Sequence, residues 1–106
     1  MEKNNIYGLL GLARRAGKIS FGTQSSIDTI EKRKAKLVIL AQDSADRTKK
    51  NFEELCKSKN IPIRITGTIE EISKSIGQVN KTVITINDEN FSKELIKRID
   101  GGEIIG

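Results

Sequence analysis

The apolar positions of this chain switch back and forth between two periods, and the switching lays out its elements. From Asn4 or Asn5 to Ala16, residues Ile6, Leu9, Leu10, Leu12, Ala13 and Ala16 recur at three- and four-residue spacing, predicting a first helix with an Asn cap and a stop at Gly17. Ile19-Ser20-Phe21 is a short strand with Ile19 and Phe21 on one face. The helical period then returns from Thr23 to about Lys34, with Ile27 and Ile30 inward. Lys36 to Ala41 is almost continuously apolar, as a central strand covered on both faces must be. The polar turn Gln42-Asp43-Ser44 offers Asp43 or Ser44 as cap for a third helix that carries Ala45, Phe52, Leu55 and Cys56 to the core.

In the second half, Ile61-Pro62-Ile63-Arg64-Ile65 reads as a strand whose proline fits only at its start or at a sheet edge. Thr68 followed by Glu71 is a capping box, opening a short helix with Ile69, Ile72 and Ile76 and ending at Gly77. Lys81 to Ile86 alternates as a strand, and Asp88 caps a last helix with Phe91, Leu95, Ile96 and Ile99 inward, closed by Gly101-Gly102. Glu103 to Gly106 is expected to be a tail without order. No repeat, linker or low-complexity tract interrupts the series. The expected fold is α/β: one domain over residues 1–106, a three-layer α/β/α sandwich with a mixed sheet of about four strands.

Composition narrows what such a sandwich can do. Hydrophobic residues at 36% and charged residues at 31% allow a modest core and exclude intrinsic disorder. Aromatics are only 4%, with no Trp, so an extended platform of stacked rings for single-stranded bases is excluded. The net charge of +5 and a pI near 9.5 favour an anionic partner, RNA first, reached through charge and hydrogen bonds. Cys56 is the only cysteine and histidine is absent, which removes disulfides, Cys/His catalysis and multi-ligand zinc sites, and predicts a reducing compartment. The first residues lack the regions of a signal peptide and no apolar run is long enough to span a membrane, so a cytoplasmic protein is expected.

The stretch with most chemical promise runs from Gly17 to Asp28, where a strand turns into a helix through Gly22-Thr23-Gln24-Ser25. Gly22 permits backbone conformations closed to other residues, and the amides of the helix start suit an acidic ligand. Gln42 to Ser44 and Thr66-Gly67-Thr68 are two further strand-to-helix turns, expected on the same edge of the sheet. Lys32, Arg33, Lys34 and Lys36 form a basic run at the end of the second helix. No GxGxxG or Walker pattern supports a nucleotide cofactor.

Three segments, LLGLARRAGKISFGT at 9–23, KAKLVILAQD at 34–43 and KNIPIRITGTIEEISKSIG at 59–77, in this order and spacing, resemble the kink-turn RNA-binding ribosomal proteins of the L-seven-Ae and L-thirty-e type, and in particular their small bacterial YlxQ-like members. The resemblance spans nearly the whole chain and implies an α/β/α sandwich. It also implies binding to an RNA kink-turn, with the second helix's N-terminus beside tandem sheared G·A pairs and an apolar loop over an extruded nucleotide. Carried over by position, Gly22 and Thr23 match, Gln24 takes an Asn or Lys place, Ser25 a Glu or Gln place, and Asp28 a Lys place. Gln24 can reach a base edge, whereas Ser25 is shorter and Asp28 is an anion that phosphate repels. The covering loop falls on Ile65, Thr66, Gly67 and Thr68, and Lys32, Arg33, Lys34 and Lys36 match the basic flank of the family's RNA surface. With Gln42 and Asp43 from the middle turn, these are the candidate RNA-binding residues.

The expectation is therefore a non-enzymatic, monomeric binder of structured RNA, ribosomal RNA included, with no cofactor, metal or membrane. The alternative is a ribosome-assembly or protein-interaction module on the same fold that has lost kink-turn reading, as Ser25 and Asp28 suggest. A phosphoacceptor role for Asp43 is disfavoured, because Ile19 to Phe21 supplies no acidic pair and nothing activates Ser25.

Overall fold

The computed structural model describes residues 6–101, which form α1 (Ile6–Arg15), β1 (Ile19–Phe21), α2 (Thr23–Glu31), β2 (Leu37–Leu40), α3 (Asp46–Lys59), β3 (Ile63–Ile65), α4 (Ile69–Ser75), β4 (Val83–Ile86) and α5 (Glu89–Gly101). The strands lie in the order β1-β4-β2-β3, with β4 antiparallel to β1 and β2, and β2 parallel to β3. It follows that β1, β2 and β3 point the same way. Each then enters its helix, α2, α3 or α4, on one common edge, while the turns that lead into β2 and β3 lie on the opposite edge.

The mixed sheet has helices on both faces because the apolar run of β2 is read alternately to each side. Leu37 and Ile39, with their partners Ile86 and Ile84, pack into a core with Leu10 of α1, Ile72 of α4 and Leu95 of α5. Val38 and Leu40, with Val83, pack instead against Ile30 of α2 and Phe52 and Cys56 of α3. All four β2 residues are fully buried, as a central strand requires. Cys56 is a core residue, its thiol pushed up to about 11 by burial. Pro62 sits just before the edge strand β3, where its carbonyl still accepts from Val38 N at 2.9 Å. The capping box is present, with Glu71 N donating to Thr68 Oγ1 and Thr68 N to Glu71 Oε1, and Asp88 accepts from Phe91 N at 2.9 Å.

Several boundaries differ from the sequence reading. Leu12 is 50% exposed rather than inward: the buried stripe of α1 is Ile6, Leu10 and Ala13, and each residue step turns the helix by about 100°, which carries Leu12 off that stripe. Helix α2 ends at Glu31, not near Lys34: Arg33 adopts φ 60° and turns the chain so that Ala35 is buried and Leu37 can enter the sheet. Neither Ser44 nor Asp43 caps α3. Ser44 Oγ donates back to Ala41 O at 2.7 Å, Asp43 is engaged elsewhere, and an exposed Ala45 occupies the cap position with no side-chain bond. The strand expected from Lys81 begins at Val83. The Asn caps of α1 and the tail after Gly101 lie outside the described residues.

Candidate nucleic-acid interface

All three strand-to-helix turns meet on the common edge, joined by backbone hydrogen bonds. Gly22 N donates to Val83 O at 3.0 Å and Ala41 N to Thr82 O at 3.0 Å, which fixes the first two turns to the start of β4. Gln42 N donates to Gly67 O at 2.7 Å, and Asp43 Oδ1 accepts from Ile69 N at 2.8 Å, which fixes the middle turn to the third. The Asp43 carboxylate thus takes one of the amides at the start of α4.

Gly22 has φ 92° and ψ 160°, a conformation that strains any residue with a side chain. As the N-cap of α2 it has no side chain to offer, and no acidic residue follows in the first turn, so the leading amides of α2 carry no side-chain cap. Thr23, Gln24, Ser25 and Asp28 surround them, with Thr23, Gln24 and Ser25 exposed. Gln24 Nε2 donates to Asp28 Oδ1 at 3.1 Å, so one amide proton of Gln24 is held by the protein itself.

The third turn is pinned from behind. Gly67 has φ 71°, and a Cβ there would stand 2.7 Å from the Tyr7 hydroxyl of α1. That hydroxyl donates to Glu71 Oε1 at 2.9 Å, the same oxygen that accepts from Thr68 N. Burial first, then the hydrogen bond to Glu71 and its charge, push the Tyr7 phenol up to about 12. Ile65, 36% exposed, ends β3 beside Thr66, Gly67 and Thr68.

Two features of this edge escape a reading of the sequence. Val79, in the loop between α4 and β4, is 74% exposed, and with Asp43, Ile69 and Lys74 it borders an open cleft of about 610 Å³. Its only signal is an apolar residue between Gly77 and Asn80 that belongs to neither period. The second feature is a pair of cations over the Phe21 ring next to Gly22: Arg14 Cζ at 5.1 Å and Lys81 Nζ at 5.6 Å from its centroid. In the sequence Arg14, with Arg15 and Lys18, begins a basic cluster close to the Gly17 to Asp28 stretch, where answering the dipole of α1 is the safer explanation; nothing there pairs Arg14 with Phe21.

The basic run does not join the turns. Lys32 is the C-cap of α2, and Arg33, Lys34 and Lys36 follow it, all exposed. Lys36 N donates to Ile86 O at 2.7 Å, at the far end of β4, so the run occupies the opposite edge. The nine residues of α2 put about 13 Å between it and Gly22. Among the described residues no group of His, Cys, Asp and Glu side chains could hold a metal ion, and no helix is long and apolar enough to cross a membrane.

Known proteins are similar to this chain in sequence and in fold. The chain is 32% identical over 94 residues to "RNA-binding protein YlxQ" of Bacillus subtilis, covering 89% of this chain and 94% of that one. It is 36% identical over 100 residues to the protein of that name from Enterococcus faecium, covering 94% and 96%. A solved structure of a Bacillus halodurans C protein of unknown function, 32% identical, superimposes with a TM-score of 0.88 over 92% of this chain and 98% of that one. The family model described as "Ribosomal protein L7Ae/L30e/S12e/Gadd45 family" matches residues 4–96, a span that takes in every turn of the edge described above. With sequence and fold in agreement over that span, the chain belongs to the L7Ae/L30e/S12e/Gadd45 family of ribosomal proteins.

Proposed function

We propose that this chain is a non-enzymatic binder of structured RNA of the kink-turn kind, and that the RNA docks on the edge formed by the three strand-to-helix turns. The observation that carries this reading is the uncapped start of α2 at Gly22, set by backbone hydrogen bonds in one frame with Gly67 and the start of β4. Free helix amides at a positive dipole end donate to a phosphate oxygen, and the exposed Thr23, Gln24 and Ser25 lie where they can reach a base edge or sugar. Ile65 and Val79 supply apolar surface for an unstacked nucleotide, and Thr66, Gly67 and Thr68 supply turn amides. Arg14 and Lys81, gathered over Phe21, flank the same edge with positive charge. Gln42 and Asp43 act by holding the turns in register. The names of the relatives support RNA as the ligand class, and the family name makes ribosomal RNA the first target to try.

The test is a binding titration with a kink-turn RNA and with the same RNA whose tandem G·A pairs are replaced by Watson–Crick pairs. The expected result is tighter binding of the intact turn, weakening as salt rises. A second reading is favoured by one contact, the hydrogen bond from Gln24 to Asp28. It occupies one of the two amide protons with which Gln24 would read a base and places a carboxylate where phosphate would pass, which suits a ribosome-assembly or protein-interaction surface. Equal, weak affinity for both RNAs selects it. Under the first reading Asp28→Lys tightens kink-turn binding by about 1 kcal/mol, since an unfavourable charge becomes a favourable one; under the second it has no such effect.

A further inference from the structure

The edge opposite the three turns carries an open cleft of about 380 Å³ where the α2–β2 turn, the α3–β3 turn and the first residues of α5 converge. Its wall holds Arg33 and Lys36 from the α2–β2 turn, Lys59 as the last residue of α3 and Lys93 from α5, against a single carboxylate, Glu89. Lys59 is drawn toward Glu31 at 3.5 Å, whereas Arg33, Lys36 and Lys93 have no ion-pair partner among the described residues. The unpaired cations of the α2–β2 turn and of α5 repel one another across the cleft, and an anion held between them relieves that repulsion.

An independent observation lies in the same wall. Ser92 is 3% exposed, and its hydroxyl is buried with no hydrogen-bond partner among the described residues. A buried hydroxyl left unpaired costs stability, and because Ser92 is part of the cleft wall a rotation of its side chain would bring that hydroxyl to an incoming oxygen. No aromatic ring lines the cleft, and Ile61 and Ile96 belong to its apolar part, so it is built to hold phosphate and sugar and has nothing on which to stack a base.

We propose that this cleft is a second RNA site, which takes a backbone phosphate of a segment other than the one docked on the turns, without reading its sequence. The proposal rests on RNA being the ligand of the first edge, and it makes the protein a bridge between two RNA segments. A phosphate group could also reach the cleft as the free ion, so both sources are tested.

The full chain is titrated with a short single-stranded oligouridylate, and separately with inorganic phosphate, while backbone amide resonances are followed. Oligouridylate is expected to move the amides of Arg33, Lys36, Asn60 and Ser92, with an affinity that falls as salt rises. Replacing Lys59→Gln and Lys93→Gln together should weaken that response about fivefold or more and leave the response of Gly22 to Asp28 toward a kink-turn RNA unchanged. Ser92→Ala should raise the thermal midpoint of the free protein, by removing an unpaired hydroxyl, yet weaken oligouridylate binding; a purely structural serine would not give opposite signs. Oligouridylate that leaves the cleft amides unmoved overturns the proposal. Inorganic phosphate that moves them at concentrations where oligouridylate does not overturns it equally, since the free ion is then the ligand. Failure of kink-turn RNA to move the amides of residues 22–28 counts against the first edge alone, because those amides belong to the other side of the molecule.

Discussion

Gly67 answers to two constraints of different origin, a left-handed backbone at φ 71° and a hydroxyl 2.7 Å from where its Cβ would be. Gly67→Ala should therefore destabilise the fold by about 1–3 kcal/mol in urea unfolding. In a Tyr7→Phe background the same substitution should cost less, because only the backbone constraint remains, and the double-mutant cycle measures the difference. Tyr7 is also the only tyrosine of a chain without tryptophan, so its ionisation can be followed directly by ultraviolet absorbance. With the phenol raised from 10.0 to about 12, the unfolded chain loses this proton first on going alkaline. The stabilisation is thus complete below pH 10 and is lost as pH rises through about 12. Glu71→Gln should bring the phenol down while leaving it above its ordinary value, since burial, the largest cause, persists. The turn itself is legible in Thr66-Gly67-Thr68. The tyrosine behind it is not, because Tyr7 and Glu71 are 64 residues apart and no local pattern joins them.

Among the elements, those fixed by local rules are legible in the chain: the two-sided run of β2, the capping box of α4, and the Asp88 cap before α5. The others were redirected by tertiary demands on a side chain or a backbone. Asp43 and Ser44 have the chemistry of helix caps, yet Asp43 serves a different helix, taking Ile69 N, and Ser44 closes its own turn. The end of α2 is hard to place from sequence because the residue with the left-handed conformation is Arg33 rather than a glycine. Asp43→Ala should cost about 1–2 kcal/mol in unfolding experiments, as loss of a carboxylate from a helix start does. Asp43→Asn, which keeps an acceptor for Ile69 N, should recover most of that. If the alanine variant keeps full stability but loses RNA binding, Asp43 contacts RNA rather than holding the turns.

At the scale of the whole molecule, strand direction decides which candidate residues can act together. Sequence order puts Lys32 to Lys36 only a few residues past the Gly22 helix and so suggests one continuous surface. The helix between them carries the run to the opposite edge, about 13 Å away. Two edges with different chemistry should respond differently to salt. Replacing Lys32, Arg33 and Lys34 with Ala should weaken binding of a long structured RNA without unfolding the protein. The slope of log affinity against log salt should fall by roughly 0.7–0.9 for each phosphate that the variant no longer neutralises. Val79→Ser, on the turn edge, should weaken binding of the same RNA with the slope unchanged, because the interaction it removes is apolar. Lying on opposite edges with no shared neighbours, the two changes should add in binding free energy to within about 0.5 kcal/mol. An unchanged slope in the triple variant would leave the basic edge out of RNA binding, and strong coupling between the two variants would mean that a single docked RNA element spans both edges.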